Sequence, residues 1–263
     1  MTNNYYLRDT IVLLPTPQLY RPAIVAGTLL LAACSVPDTP TDIHDPNEAV
    51  NREMHDVNIV IDSAALRPAS QVYGDVLPQP VRTRLDNASR NLGLPAAMVN
   101  KLLQGQVEQA AQNGFRFAIN STLGLFGLFD PAQDFGFEEQ QAGFADTLAV
   151  WGVPEGAYSV SPVLGPSTQR DSAGLIVDIL TNPFGLPSAS DVANVQLGLK
   201  VTETLNYRHT FMETFDSILY DSADSYAQLR LFYLDSRRFQ LGQSTRDAAS
   251  DPYEDLYDGL YEE

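Results

Sequence analysis

The residue types that most often carry out chemistry are few and widely spaced in this chain. Histidine occurs only at His44, His55 and His209, and none of them has a second ligand at a metal-binding spacing. The HExxH, paired CxxC, EF-hand, phosphate-loop and GxSxG patterns are absent, so the sequence predicts no metal site, no cofactor and no catalytic serine. A hydrolase whose catalytic residues come together only in space remains an alternative.

Polar side chains in apolar surroundings are more informative. Asn120 and Ser121 lie inside an apolar stretch, and Arg116 lies one helical turn before Asn120. Such residues either satisfy groups within a core or line a passage and offer hydrogen bonds to a polar lipid headgroup. Arg170 and Asp171 allow the same two interpretations, as a buried ion pair or as a polar lining.

Residues 123–129 form an apolar segment that contains Gly124 and Gly127 and ends at Asp130. The segment is far shorter than the roughly 20 apolar residues that a membrane-spanning helix needs. The pattern fits either a buried turn of helix or a surface that faces lipid. Trp151 is likewise either a core residue or an aromatic anchor at a lipid interface.

The N-terminal region resembles a targeting segment. Arg21 precedes an apolar run of 12 residues, 22–33, which is the length of the apolar region of a signal peptide. Cys34, the only cysteine, follows this run as in the lipobox of bacterial lipoproteins. We therefore expect a signal peptide over 1–33, acylation of Cys34 and a flexible tether over 34–44, with Ser35 favouring the outer membrane. The alternative is a soluble protein whose one cysteine happens to follow an apolar stretch.

The charge of the chain excludes some partners. A net charge of −17 argues against nucleic acid and against electrostatic attraction to anionic headgroups, because both require clustered Lys and Arg. Residues 241–263 form an acidic tail that is typical of disordered, solvated segments.

The elements between the tether and the tail are predicted to be mainly α-helical. Apolar residues recur at helical spacing, and no segment alternates long enough to predict more than a few extended residues. No linker divides residues 45–240, so we expect one helical domain. The helices are predicted over 45–65, 80–92, 95–103, 107–122, 141–151, 167–180, 191–219 and 222–239, with Ser167 capping the helix that starts there.

A series of short motifs occurs in a fixed order over most of residues 45–178. In chain order they are Asp45-Pro46, Asn51-Arg52, Pro78-Gln79-Pro80-Val81-Arg82, Asn91-Leu92, Pro95, Asn100, Leu103-Gln104-Gly105, Arg116-Phe117, Ile119-Asn120-Ser121-Thr122-Leu123-Gly124, Gly127, Asp130, Phe144, Thr147-Leu148, Trp151-Gly152-Val153, Gly156, Tyr158, Pro162, Gly165-Pro166-Ser167 and Arg170-Asp171. Together these motifs resemble the MlaA/VacJ family of outer-membrane lipoproteins. The chain departs from the family's usual pattern at Ala49-Val50, at Asp146 and at Ala149.

The resemblance implies a single ring- or doughnut-shaped helical domain with amphipathic helices around a central passage. It implies a protein set in the inner leaflet of the outer membrane, on its periplasmic face. Such a protein removes mislocalised phospholipids from the outer leaflet and passes them toward a periplasmic lipid-carrier protein. It also implies association with an outer-membrane porin trimer and no enzymatic step. The alternative is an envelope lipoprotein that scaffolds porins without moving lipid.

The resemblance also implies roles for individual residues. One set is expected to line the lipid passage or to support it, and a second set is expected to face the membrane or to form a gate. The first set is Asn51, Arg52, Arg116, Asn120, Ser121, Arg170 and Asp171. The second set is Leu123, Gly124, Leu125, Phe126, Gly127, Leu128, Phe129 and Trp151.

Overall fold

A computed structural model of the protein describes residues 43–185 and 190–242. The expected signal peptide, Cys34, most of the tether and the acidic tail beyond Gly242 lie outside the described residues. The mainly α class is confirmed. The helices are α1 (Glu48–Ile61), α2 (Arg67–Val76), α3 (Gln79–Leu103), α4 (Val107–Thr122), α5 (Pro131–Asp134), α6 (Phe144–Val150), α7 (Gln169–Leu180), α8 (Asp191–Thr210), α9 (Met212–Leu219) and α10 (Ser225–Gln240).

Membrane-spanning helices are not found within these described ranges. None of the helices is both long enough and apolar enough to cross a bilayer.

The first helical segment continues through Pro68, so the prediction of a helix that ends near Ala65 was wrong. One π-helical turn, Asp62–Leu66, connects α1 to α2 without a break, and Pro68 lies in the first turn of α2. Proline lacks the N–H that a continuous α-helix would use and its ring crowds the preceding turn. The wider π turn directly before Pro68 accommodates both effects.

Helix α3 is a single helix of 25 residues, whereas the sequence predicted two helices separated before Pro95. An interior proline costs a helix about 3 kcal/mol. That cost is offset by tertiary packing, because α3 lies along α4 and α8 and buries Leu94 and Ala97 on either side of the proline.

The predicted helix over 191–219 is two helices, α8 and α9, interrupted at Phe211. The interruption bends the chain, so that residues eight positions apart come into contact. The ring of Phe215 then lies 5.8 Å from the ring of Tyr207, and Asp216 pairs with Arg208 at 2.7 Å. These contacts between the two helices replace the contacts that one long helix would have made along its axis.

Two short strands form an antiparallel hairpin, β1 (Tyr158–Ser161) with β2 (Gly165–Thr168), in which Tyr158 pairs with Thr168. Because β2 extends to Thr168, helix α7 begins at Gln169. Its N-cap is Thr168, whose hydroxyl accepts a hydrogen bond from the backbone N–H of Asp171, and not Ser167 as predicted.

A small apolar core lies beneath the hairpin. Tyr158 and Val160 of β1 pack there with Tyr226 and Leu234 of α10. Met54 of α1 packs against these residues, so the core joins α1 and the hairpin to the last helix.

The distribution of polar and apolar side chains is reversed from that of an ordinary soluble domain. Among the described residues, buried polar and charged side chains outnumber buried apolar ones, and more than half of the buried apolar side chains are alanines. Large apolar side chains are instead exposed along most helices. Extended exposed apolar surface marks a region that contacts another apolar phase or partner.

Candidate functional site

The apolar loop, residues 123–129, connects α4 to α5 and presents bulky side chains outward. Phe126 is 83% exposed and Leu123 is 66% exposed. Leu125, Phe126 and Gly127 have positive φ values of 52°, 61° and 88°. For a residue other than glycine this conformation costs about 1–2 kcal/mol, so contacts at the base of the loop must stabilise it.

Two buried polar residues of α4 supply those contacts. The Nδ2 of Asn120 donates to Asp130 Oδ1 at 2.7 Å, and its Oδ1 accepts from the backbone N–H of Ala132 at 3.1 Å. Arg116 pairs with the other oxygen of Asp130 at 2.7 Å and donates to the backbone carbonyl of Phe137. Because Asp130 follows the loop directly, Arg116 and Asn120 join its two ends.

Ser121 and Asn91 support the loop from the side of α3. The Nδ2 of Asn91 donates to Ser121 Oγ at 3.0 Å. A Cβ at Gly127 would lie 2.5 Å from the Cβ of Asn91, so the loop approaches α3 as closely as a glycine allows.

Replacing Asn120 with alanine is expected to lower the free energy of unfolding by about 1–3 kcal/mol. The substitution leaves the backbone N–H of Ala132 without its partner and removes one donor to Asp130. Urea unfolding followed by circular dichroism, with the protein in detergent micelles, measures the change. Thr122→Ala on the exposed side of α4 is the control, with an expected change within about 0.5 kcal/mol. Equal stability of the two variants would show that Asn120 does not support the loop.

Asn51, which was predicted from the family resemblance, connects α1 to the hairpin. It donates to the carbonyl of Tyr158 at 3.2 Å and accepts from the N–H of Val160 at 3.0 Å. Asn58 repeats this arrangement at the hairpin turn, with bonds to Ser161 and Val163. Asn58 was missed by the sequence analysis, although a second asparagine two helical turns after Asn51 lies on the same face of α1.

Arg52 connects α1 to the start of α10. It forms a two-point ion pair with Asp224, with distances of 3.0 and 2.9 Å, and a second pair with Glu48 at 2.7 Å. Its guanidinium also lies over the ring of Tyr226. These bonds lower the pKa of Asp224 to about 2.

Arg170 and Asp171 lie at the start of α7. Arg170 is buried, with its Nε 3.5 Å from Asp171. Burial by itself would raise the pKa of Asp171, but hydrogen bonds from Arg237 and Tyr233 outweigh burial and lower that pKa. The ionised carboxylate therefore joins α7 to α10.

Trp151 directly follows the last residue of α6, and its indole ring is half-exposed. Its Nε1 donates to the carbonyl of Leu103 at 3.1 Å, and the ring meets Phe144 edge-on at 5.8 Å. One end of the indole is hydrogen-bonded while much of its apolar face stays open to the surroundings.

A cavity of about 370 Å³ lies between α1, the π turn, the hairpin and α8–α10. Its volume is within the roughly 300–1,000 Å³ that small-molecule sites occupy. Most of its lining is apolar, from residues that are far apart in the chain. The apolar aliphatic and phenylalanine residues of the lining are Ile59, Ile61, Leu66, Val160, Val163, Leu164, Phe215, Leu219, Leu229 and Phe232.

The charged residues in this lining are Asp62 and Arg208. Arg208 is 3% exposed, and its Nε and Nη2 each donate to Asp62 at 2.9 Å. These hydrogen bonds raise the pKa of Arg208 above its usual value, so the guanidinium stays charged. The hydroxyl of Tyr220 donates to the same carboxylate at 2.7 Å.

The seven polar residues predicted for the passage do not line this cavity. The structure brings Arg116, Asn120 and Ser121 together at the apolar loop, while the other four join α1 and α7 to neighbouring elements. The sequence analysis missed both Asp62 and Arg208. Their pairing joins positions 146 residues apart, and no local pattern signals it.

Histidines do not form a metal site in the described ranges, where no cluster of three potential ligands occurs. His55 instead lines the cavity, with Nε2 2.9 Å from Ser225 Oγ and its ring edge-on to Tyr226. Burial lowers the pKa of His55.

The free energy of unfolding is expected to fall as the solution is acidified from about pH 7.5 to about pH 5.5, in part through His55. The folded state holds His55 neutral, whereas the unfolded state takes up a proton near pH 6.5. His55 therefore contributes fully to the free energy of unfolding above the pKa that it has in the unfolded chain. This contribution is lost as the pH falls through the lower pKa that His55 has in the folded protein. Urea unfolding is measured at both pH values for the unmodified protein and for His55→Gln. The difference between their losses of stability on acidification is the contribution of His55. An equal acid loss in both proteins would rule out the contribution of His55.

The fold and the candidate site together define a class of helical proteins. In this class polar networks are buried, apolar side chains face outward, and an apolar cavity is lined in part by one buried ion pair. The family model of the MlaA lipoprotein matches residues 43–240, and the chain belongs to that family.

Relatives and a solved structure agree with this assignment. The intermembrane phospholipid transport system lipoprotein MlaA of Shigella flexneri is 33% identical over 223 residues, which are 82% of this chain and 86% of the relative. An uncharacterized protein of Rickettsia felis is 31% identical over 190 residues, which are 72% of this chain and 74% of the relative. A structure described as "Structural basis for maintenance of bacterial outer membrane lipid asymmetry" superposes with a TM-score of 0.65 at 31% identity, covering 75% of this chain and 98% of its own.

Proposed function

We propose that this protein is an outer-membrane lipoprotein that removes mislocalised phospholipids from the outer leaflet and passes them toward a periplasmic lipid carrier. This transport maintains the lipid asymmetry of the outer membrane. The observation that carries the proposal is the reversed distribution of side chains, with apolar residues exposed along the helices and polar residues buried. The names of the relatives, which refer to intermembrane phospholipid transport, support it.

The apolar cavity serves as a section of the lipid passage. Its aliphatic and aromatic lining suits acyl chains, since transfer of apolar surface out of water is favourable by about 25 cal/mol per Å². The ion pair of Asp62 and Arg208 suits a polar headgroup. The passage offers a route along which lipid moves down its own free-energy gradient, so the proposal includes no catalytic step.

The apolar loop and Trp151 contact the inner leaflet of the outer membrane. Burying a side chain such as Leu125 or Phe126 in lipid contributes about 1.5–3 kcal/mol each. These contacts act together with acyl chains on Cys34, since stable anchoring takes more than one apolar attachment. Removal of the signal peptide over 1–33 leaves Cys34 as the first residue of the anchored chain. Arg116, Asn120 and Ser121 support the passage through the loop, and Asn51, Arg52, Arg170 and Asp171 support it by joining the helices around it.

Two protein partners complete the proposal. An outer-membrane porin trimer positions the protein across the leaflets, and a soluble periplasmic carrier receives the lipid. The net charge of −17 makes apolar contact, and not attraction to anionic headgroups, the basis of membrane association.

Deleting the gene tests the transport function. Outer-leaflet phospholipid is expected to rise in the deletion strain, as measured by labelling of surface-exposed headgroups in intact cells, and to return to the original level when the gene is restored. A restored gene that carries Phe126→Asp should lower outer-leaflet phospholipid less completely, because a charged side chain at a membrane-facing position costs about 2.5–3.5 kcal/mol. Glu138→Gln, at an exposed acidic position, serves as the matched control and should return it to the original level.

Unchanged surface phospholipid in the deletion strain would contradict the proposal. If porins then lost their normal assembly or position, that combination would favour the scaffolding alternative.

A further inference from the structure

The guanidinium of Arg208 is fixed on three sides by its own domain. Its Nε and Nη2 donate to Asp62, and Nη2 also donates to Asp216 at 2.7 Å. One face of the group lies over the ring of Phe215, with 5.4 Å between the guanidinium carbon and the ring centroid. The side chain is thus held in one orientation by charge, hydrogen bonds and packing.

The remaining nitrogen, Nη1, is buried and has no hydrogen-bond partner among the described residues. A buried charged donor without a partner is costly and uncommon in folded proteins. Arg208 belongs to the lining of the apolar cavity, and Nη1 lies just beneath the accessible surface, so a ligand in the cavity supplies the missing acceptor when the side chains over Nη1 move aside.

The local charge balance admits an anionic acceptor. Asp62 and Asp216 are neutralised by Arg208 and by Arg67, which donates to Asp216 through two of its nitrogens. Tyr220 donates to Asp62, and the other titratable side chains of the cavity lining are Tyr207, Tyr233 and His55, whose pKa is lowered by burial. An incoming anion therefore meets a cluster of balanced charge in which both N–H groups of Nη1 are unpaired, despite the strongly negative chain.

We propose that Nη1 of Arg208 binds the phosphodiester oxygen of a glycerophospholipid whose acyl chains occupy the apolar part of the cavity. Guanidinium and phosphate form short, strong hydrogen bonds. Arg208 would then make the cavity select phospholipids over uncharged lipids of the same chain length. This inference rests on the proposed function, because it assigns the headgroup contact within the proposed passage.

Binding of matched fluorescent lipids to the full-length lipidated protein in detergent micelles tests the inference. The probes are phosphatidylmethanol, its uncharged dimethyl phosphotriester and diacylglycerol, all with the same labelled acyl chains. The phosphodiester is expected to bind about tenfold or more tightly than either uncharged lipid, which is the size of one hydrogen bond between charged groups. Equal affinity for all three lipids would overturn the inference without any variant. Inorganic phosphate should not displace the lipid, and displacement at low millimolar phosphate would make the site one for free phosphate and overturn the lipid assignment.

The variant Arg208→Lys sharpens the test, because lysine keeps the charge and loses the planar fork of donors. It should bind phosphatidylmethanol about tenfold more weakly and bind diacylglycerol as the unmodified protein does. Arg238→Lys is the matched control, since Arg238 is also buried and ion-paired, with Glu155, and lies outside the cavity. An Arg208→Lys protein that keeps its preference for the phosphodiester would overturn the inference. If that variant does not fold, as judged by circular dichroism, the comparison of the three lipids on the unmodified protein decides.

Failure of the inference and failure of the proposed function give different results. If the cavity binds all three lipids equally, it remains a lipid site, and only the binding of the headgroup by Arg208 is refuted. A protein that binds none of the three lipids contradicts the proposed passage itself.

Discussion

Replacing Asp62 with alanine is expected to lower the free energy of unfolding by about 3–5 kcal/mol. The substitution leaves the buried guanidinium of Arg208 with only Asp216 as a charged partner and removes the acceptor of the Tyr220 hydroxyl. An ion that stays buried after it loses its partner is among the most destabilising single changes in a protein. Urea unfolding in detergent micelles, followed by circular dichroism, measures the effect.

Two further variants separate the loss of the partner from the loss of the pair. Removing both charges in the double variant Asp62→Leu/Arg208→Met should restore most of the stability, because apolar residues of similar volume replace a buried pair at little cost. Arg67→Gln breaks the half-exposed pair with Asp216 and should cost about 1 kcal/mol or less. An Asp62→Ala protein within about 1 kcal/mol of the original would refute the importance of this pair.

Replacing Gly174 with alanine is expected to lower the free energy of unfolding by about 2–3 kcal/mol. A Cβ at this position of α7 would lie 2.4 Å from the backbone nitrogen of Ala145 and 2.5 Å from its Cα. Backbone atoms cannot rotate away as a flexible side chain does, so α6 and α7 would have to separate. The same unfolding measurement reports the change.

Gly93, in the middle of α3, is the matched control with the opposite sign. A Cβ there meets no atom within 4 Å, so alanine should raise the free energy of unfolding by about 0.5–1 kcal/mol through its higher helix propensity. If both substitutions destabilise the protein, or if neither does, close contact between α6 and α7 does not explain the effect of Gly174→Ala on stability.

Local sequence patterns identified most of the helices because their signals repeat within a few residues. Helix α4 has apolar residues on one face at helical spacing, and its predicted range is confirmed. The errors arose where tertiary contacts override a local rule. Pro95 remains inside α3 because neighbouring helices stabilise that segment, and Phe211 ends α8 although no helix-breaking residue stands there.

The residues around the apolar loop were partly predictable. Arg116 and Asn120 drew attention because polar residues in an apolar segment need partners. Their partner, Asp130, is close in sequence and ends the loop, so the whole set lies within one continuous segment. The positive φ of Leu125 and Phe126 was not predictable, since bulky residues seldom adopt that conformation.

The sequence alone determined the helical class, the absence of a recognisable catalytic motif and the apolar loop, and it predicts a lipoprotein signal at Cys34. Each of these depends on composition or on residues close together in the chain. Only the tertiary structure decided where the cavity lies and which charges face it, because Asp62 of the π turn and Arg208 meet only after α2 and α8 have packed together. Pairings over such separations depend on the docking of whole helices, which no short pattern encodes.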